Sequence, residues 1–178
     1  KILEPYIKLR CEALLNKMVK KGAPAEFIQN LGYPLPGETI FRLIGFPEND
    51  DDKVKSWGGD RFDFMWGRPD KEGQRIASQN LLAYWRYCVD FVEMRRKIPA
   101  DDYTSELLAA QRENPDDLSI HEIQSSIYGL SFAGHEIVTN FLSNSLICLL
   151  SDRSKWKEVC ADPSKIENAV SEIISKWS

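Results

Sequence analysis

The residues with most chemical content lie in one stretch, Gly129-Leu130-Ser131-Phe132-Ala133-Gly134-His135-Glu136-Ile137-Val138-Thr139-Asn140. Glycine inside a helix costs about 1 kcal/mol relative to alanine, so a helical glycine implies a backbone that must come close to something or be distorted. Gly129 and Gly134 sit roughly 140° apart around a helix and do not form one packing groove. Two readings follow. In the first, neighbouring helices approach closely at these glycines. In the second, a flat ligand lies against Ala133 and Gly134, and Glu136 relays protons beside it. Gly129, Phe132, Ala133 and Ile137 are read as one face, which would line a substrate cavity or serve as ordinary core. His135 is read as a satisfied polar residue and His121 as a solvated one in a capping turn; no metal site is expected.

Positioning these groups takes a long helix. Ser119-Ile120-His121-Glu122 matches a capping box, in which serine and glutamate satisfy each other's free backbone donors. No proline follows until Pro163, and hydrophobic spacing persists to about Leu150. At about 1.5 Å per residue this predicts a rod of about 48 Å, long enough to cross a domain. The remaining pattern is also helical. A first helix is expected over Ile2 to Val19 with Leu3, Ile7, Leu14 and Met18 on its stripe and Gly22 as its stop. A second runs from Gly37 to about Gly45 and is broken by Pro47. The acids Glu48, Asp50, Asp51 and Asp52 suit the start of a third, which carries Val54, Trp57, Phe62, Phe64, Met65 and Trp66. A long helix from Asp70 to Lys97 is expected to bury Ile76, Leu81, Trp85, Cys88 and Val92. Arg95, Arg96 and Lys97 would cap its negative end. Shorter helices are expected over Thr104 to Glu113, Arg153 to Cys160 and Pro163 to Trp177, with a minor extended stretch near Ala25 to Ile28. The fold class is all-α, one domain over residues 1–178 built around the long central helix.

Composition narrows the partners. The chain has 178 residues, 43% hydrophobic and 28% charged, with a formal charge of −4. That balance argues against nucleic acid or an anionic membrane as partner, since either would need a basic stripe. No apolar run approaches the roughly 20 residues that span a bilayer. Cys11, Cys88, Cys148 and Cys160 contain no Cys-x-x-Cys pair, so they are read as small buried hydrophobes in a reducing cytoplasm. The chain opens on Lys1 and closes on Ser178 within an amphipathic run, and a piece of a longer protein is expected.

Ala133-Gly134-His135-Glu136 resembles the oxygen-binding signature on the central helix of the cytochromes P450, the haem-thiolate monooxygenases. Further landmarks resemble soluble bacterial members in the same order: Leu3-Glu4-Pro5-Tyr6-Ile7, Tyr33-Pro34-Leu35-Pro36, Ile44-Gly45-Phe46-Pro47, Asp101-Asp102-Tyr103-Thr104-Ser105-Glu106-Leu107-Leu108 and Ala161-Asp162-Pro163. The resemblance implies helices D through J and the beginning of K of that incomplete fold. It further implies haem b as cofactor in the longer protein, an apolar small-molecule substrate, a ferredoxin or reductase as electron donor, and a cytoplasmic location. By the same resemblance, Ala133, Gly134 and Ile137 would meet the cofactor, Glu136 and Ile137 would stand at the catalytic positions, and Gly129, Phe132, Ala133 and Met65 would meet substrate.

Two departures bear on function. The family commonly has threonine after the acidic member of the signature, whose hydroxyl assists dioxygen activation; here Ile137 can neither donate nor accept a hydrogen bond. Thr139 points about 160° away, and Asn140, about 60° away, is the polar residue on that face. The family's Glu-x-x-Arg pair would begin at Glu172, yet Ser175 stands where arginine is expected and Lys176 comes one position late. The haem-ligand cysteine loop, rich in glycine and arginine, is absent from the sequence, and Cys160 is read as structural. Three functions are therefore carried forward: an inactive segment of a monooxygenase; the same fold with peroxide-using or non-oxygenase chemistry because of Ile137; and a non-catalytic all-α interaction module. The isolated chain is expected to self-associate or be marginally stable, because the central helix would leave apolar side chains exposed.

Overall fold

A computed structural model describes residues 3–177. Among them the regular structure is helical throughout: α1 Glu4–Lys21, α2 Pro34–Ile44, α3 Asp51–Phe62, α4 Lys71–Lys97, α5 Tyr103–Glu113, α6 Ile120–Phe132, α7 Val138–Ser151, α8 Arg153–Ala161 and α9 Ile166–Trp177. Ile2, expected to begin the first helix, lies outside the described residues. Three single π turns punctuate this order, at Ile28–Gly32, Asp63–Gly67 and Ala133–Ile137.

The ends follow local chemistry. Pro34 opens α2 three residues earlier than expected, because a proline at the first helical position gives up no needed hydrogen bond. Gly45 closes it in the left-handed conformation at φ 95°. Asp70 and Asp102 cap α4 and α5 by accepting from the backbone N–H of Gly73 and Ser105. The capping box of α6 is complete, with Ser119 N–H donating to Glu122 Oε2 at 2.8 Å. The extended stretch expected near Ala25 to Ile28 does not form. Instead the Glu26 carboxylate accepts from the backbone N–H of Ile28 and Gln29 and starts the first π turn.

The core lies between α2, α3, α4, α5 and α6, around Phe41, Ile44, Val54, Tyr84, Cys88, Val92, Leu108, Ile123 and Ile127. On α4 the buried face keeps Cys88 and Val92 of the expected residues and differs in the rest. Ala77, Tyr84, Cys88, Phe91 and Val92 are buried, while Ile76 is 45% exposed. Tyr84 is drawn in because its hydroxyl pairs with the Ser131 hydroxyl on α6 and its ring stacks on Trp57 of α3. Arg95 is no simple helix cap. Its guanidinium donates to Asp102 Oδ2 at 2.6 Å and to Gly45 O at 2.8 Å, tying the end of α4 to the end of α2 and the start of α5.

Of the cysteines expected to be buried, Cys88 is buried, whereas Cys11 and Cys148 are half-buried and Cys160 is exposed. Cys160 lies in the last turn of α8, a helix with no buried residue. Ser175 turns its hydroxyl back onto the carbonyl of Glu172 in its own helix, at 3.0 Å. The Lys176 side chain lies outside the described residues. Among those residues no helix is long and apolar enough to cross a membrane, and no cluster of three His, Cys, Asp or Glu side chains is placed to hold a metal ion.

Candidate functional site

The expected rod exists, running from Ile120 to Ser151, but it is not one uniform α-helix. A π turn occupies Ala133–Ile137, over the signature residues themselves. A π turn carries more residues per turn and so rotates less per residue. Such turns are found preferentially where a helix must be distorted for function. Here Thr139 donates its hydroxyl to His135 O at 2.9 Å.

The turn divides the rod into two sides. One side is open: Ala133 and Asn140 are exposed, Ile137 is 56% exposed, and a Cβ placed on Gly129 would meet nothing within 4 Å. The other side is packed. A Cβ on Gly134 would stand 2.5 Å from Ile40 Cγ1, so this glycine lets α2 approach the rod. Close helix approach therefore accounts for Gly134 but not for Gly129, which faces open space.

Phe132 leaves the face on which the sequence placed it. It is buried beneath the Trp66 ring, stacked at 6.4 Å between centroids, and beneath the Arg61 guanidinium at 4.5 Å. Both covering groups come from α3 and the π turn that ends it. That turn also presents Phe64, Met65 and Trp66, between 42% and 55% exposed, as an apolar flank.

The acid and histidine of the signature point away from the open side. The His135 side chain is 1% exposed and that of Glu136 is 12% exposed. His135 Nε2 lies 3.0 Å from Tyr33 O. A carbonyl only accepts, so Nε2 carries the hydrogen and Nδ1 is left as a lone pair, 3.9 Å from Glu136 Oε1. Burial pushes the His135 pKa down to about 4, with Lys55 adding to the effect and the bond to Tyr33 opposing it. Burial also raises the Glu136 carboxyl above its ordinary range, helped by the negative charge of Asp63. The Tyr33 hydroxyl, donating to Glu136 Oε1 at 3.3 Å, pulls the other way.

Tyr33, Gly37, Lys55 and Gly58 complete this packed side, and none of them was expected at the site. The aromatic ring of Tyr33 lies 4.3 Å from the imidazole. Cβ atoms on Gly37 and Gly58 would stand 3.0 Å from His135 Nε2 and 3.5 Å from Glu136 Oε1. Tyr33 and Glu136 are 103 positions apart, and only the folded arrangement joins them.

No family model matches the chain. Relatives and solved structures do. The biotin biosynthesis cytochrome P450 of Bacillus subtilis is 29% identical over 174 residues, a match covering 96% of this chain and 42% of the relative. The vitamin D(3) 25-hydroxylase of Pseudonocardia autotrophica is 30% identical over 172 residues, covering 97% and 41%. The solved structure of cytochrome P450 CREJ in complex with (4-ethylphenyl) dihydrogen phosphate superimposes with a TM-score of 0.89 at 32% identity, covering 97% of this chain and 43% of that one.

The chain belongs to the cytochrome P450 family. It spans about two fifths of the length of the P450 relatives it matches. Its all-α architecture is that of a P450 over this part of the fold.

Proposed function

We propose that this chain supplies the helical wall over the haem of a haem-thiolate monooxygenase, which inserts one atom of dioxygen into an apolar organic substrate with electrons from a redox partner. The observation that carries the reading is the open side of the rod at Ala133 and Ile137, backed on the packed side by a half-buried, hard-to-ionise Glu136. The residues fit a flat apolar ring. Ala133 projects only a methyl group, Ile137 offers an apolar contact, and the space above Gly129 is clear. Ala133 and Ile137 would hold haem b on that side. Gly134 would contribute backbone alone, since its side-chain position is taken by Ile40. A haem with a cysteine thiolate ligand supplies the redox chemistry of such an enzyme.

The chain's own residues provide the surroundings for that chemistry. Gly129 leaves room for an apolar substrate, and the Phe64-Met65-Trp66 turn flanks the site on the side where Trp66 covers Phe132. Covered by haem and substrate, these surfaces would exclude water and strengthen the electrostatic interactions nearby. Glu136 holds a proton at its carboxyl to higher pH than a solvated glutamate does, the property a proton-relay acid needs near neutrality. His135 stays neutral in this range and adds no charge beside Glu136.

The reduced carbon monoxide difference spectrum of the full-length protein tests the proposal. A thiolate-ligated haem band is expected, and folded protein without that band overturns the assignment.

One observation favours a second reading of the chemistry, with peroxide in place of dioxygen or a reaction that needs no hydroxyl. Ile137 is 56% exposed at the centre of the open side, and the nearest hydroxyl, that of Thr139, is buried and bound to His135 O. If oxygen activation lacks this hydroxyl, Ile137→Thr in the full-length protein raises product formed per oxygen consumed. Unchanged coupling would remove the ground for thinking the hydroxyl is missed.

A further inference from the structure

We propose that Tyr33 is the positioning residue for Glu136: its hydroxyl latches the carboxylate against α3, away from the open side of the rod, while its carbonyl fixes His135. This inference rests on the reading of Glu136 as a proton-handling group. The geometry is a clasp made by one residue on two neighbours. Tyr33 O lies 3.0 Å from His135 Nε2, and Tyr33 Oη lies 3.3 Å from Glu136 Oε1. The tyrosine is itself held, because it immediately precedes α2 and its backbone N–H donates to Ile28 O at 2.8 Å.

The seat for the carboxylate lies against α3. Gly58 is buried there, and any side chain at that position would begin 3.5 Å from Glu136 Oε1. Glu136 is therefore housed between Tyr33 and the backbone of α3, while its neighbours Ala133 and Ile137 face outward. A carboxylate that serves the open side has to rotate out of this seat, and the Tyr33 bond is what such a rotation breaks.

The latch is built to open without leaving a buried donor stranded. The same hydroxyl lies 3.3 Å from Lys55 O, so Tyr33 keeps an acceptor after Glu136 departs. An unsatisfied buried hydroxyl would otherwise oppose the movement. At 3.3 Å the bond to Glu136 is also longer than the usual hydroxyl–oxygen distance, and is correspondingly weak. The titratable and charged groups facing this pair are few. Asp63 acts on Glu136 from the turn after α3, Lys55 acts on His135 from α3, and α2 presents uncharged Gly37.

The test follows the Glu136 carboxyl directly in the full-length protein, by carbon NMR of isotopically labelled glutamate with Glu136→Gln identifying the signal. Loss of the donor in Tyr33→Phe is expected to raise the titration midpoint by about one pH unit, because the charged form loses its hydrogen bond. Replacing Tyr33 with 3-fluorotyrosine keeps the shape and strengthens the donor, so the midpoint is expected to fall. The corresponding limb of the kcat–pH profile is expected to move the same way in each variant, with KM unchanged. Midpoints unmoved in both variants overturn the latch. If Tyr33→Phe does not fold, the fluorotyrosine protein decides alone. The titration does not depend on turnover. A kcat–pH profile indifferent to Glu136→Gln would refute the proton-handling reading itself, whereas an unmoved carboxyl midpoint refutes only the role given to Tyr33.

Discussion

At the scale of single residues, the signature pair sets two opposite dependences of stability on pH. His135 is neutral and buried, with its folded-state pKa near 4 against an ordinary value of 6.5. The unfolded chain therefore binds a proton that the folded chain resists. The resulting stability is fully present above pH 6.5 and is lost as pH falls from there toward 4. The difference in pKa corresponds to about 3 kcal/mol. Glu136 acts in the other sense. Its folded-state pKa is raised, so its contribution is present below the ordinary glutamate value and is lost as pH rises through the raised one. Urea unfolding of the His135→Gln protein as a function of pH checks this. The acid-side loss between pH 6.5 and 4 is expected to shrink by most of that amount. A variant as acid-sensitive as the original would show that other groups govern the acid limb. Glu136→Gln should instead flatten the loss on the alkaline side of the glutamate range.

At the scale of elements, the two glycines of the rod call for opposite consequences of the same substitution. Gly134→Ala puts a methyl group within 2.5 Å of Ile40 Cγ1, between two packed helices that have little room to part. A loss of about 1–3 kcal/mol is expected from overpacking, partly recovered by Ile40→Ala in the double variant. Gly129→Ala meets nothing within 4 Å and should gain up to about 1 kcal/mol from helix propensity while narrowing the open side. Chemical denaturation of the three proteins checks the pattern, and equal effects at both positions would contradict it.

The same contrast shows what could be read before folding. Helix ends were legible where their signals are local, as with Ser119 and Glu122 or Gly45 before Pro47, although the start of α2 at Pro34 was set three residues late. The open strip of Ala133 and Ile137 was legible through its spacing of four. The π turn was not, because widening a turn needs no change of residue type. Phe132 was misplaced because Trp66 and Arg61, which cover it, reach it only in the folded molecule. Nor was the seat of Glu136 legible, since Tyr33 and Gly58 reach it only through tertiary packing and their local sequence gives no sign of it. Arg95 was misjudged for the same reason: Asp102 and Gly45 become its partners only when α2, α4 and α5 meet.

At the scale of the whole molecule, the surface is too large for the mass. A compact monomer of 20.4 kDa would expose about 8,800 Å², and this chain exposes 11607 Å². The surplus of about 2,800 Å² exceeds what a standard stable protein interface buries in total. It is also apolar in the places that matter. Ile137, Val138, Ile147 and Leu150 are exposed along the rod, and Phe64, Met65 and Trp66 at the turn after α3. A cleft of 390 Å³ lined by Ile7, Leu35, Ile40, Leu43, Val138 and Leu142, among others, opens between α1, α2 and the rod. Beyond the rod, Ile173 is the one buried hydrophobic residue among the described residues of α8 and α9, so that end gains little from burial. Apolar surface on this scale drives association. The 178-residue chain expressed alone is expected to scatter light as a self-associating species whose apparent mass rises with concentration, or to unfold at low urea. Substituting aspartate for both Ile137 and Ile147 should reduce the association, because neither side chain supports the core. A stable 20.4 kDa monomer at high concentration would show that the exposed rod is tolerated in water and that the surplus surface has no thermodynamic consequence.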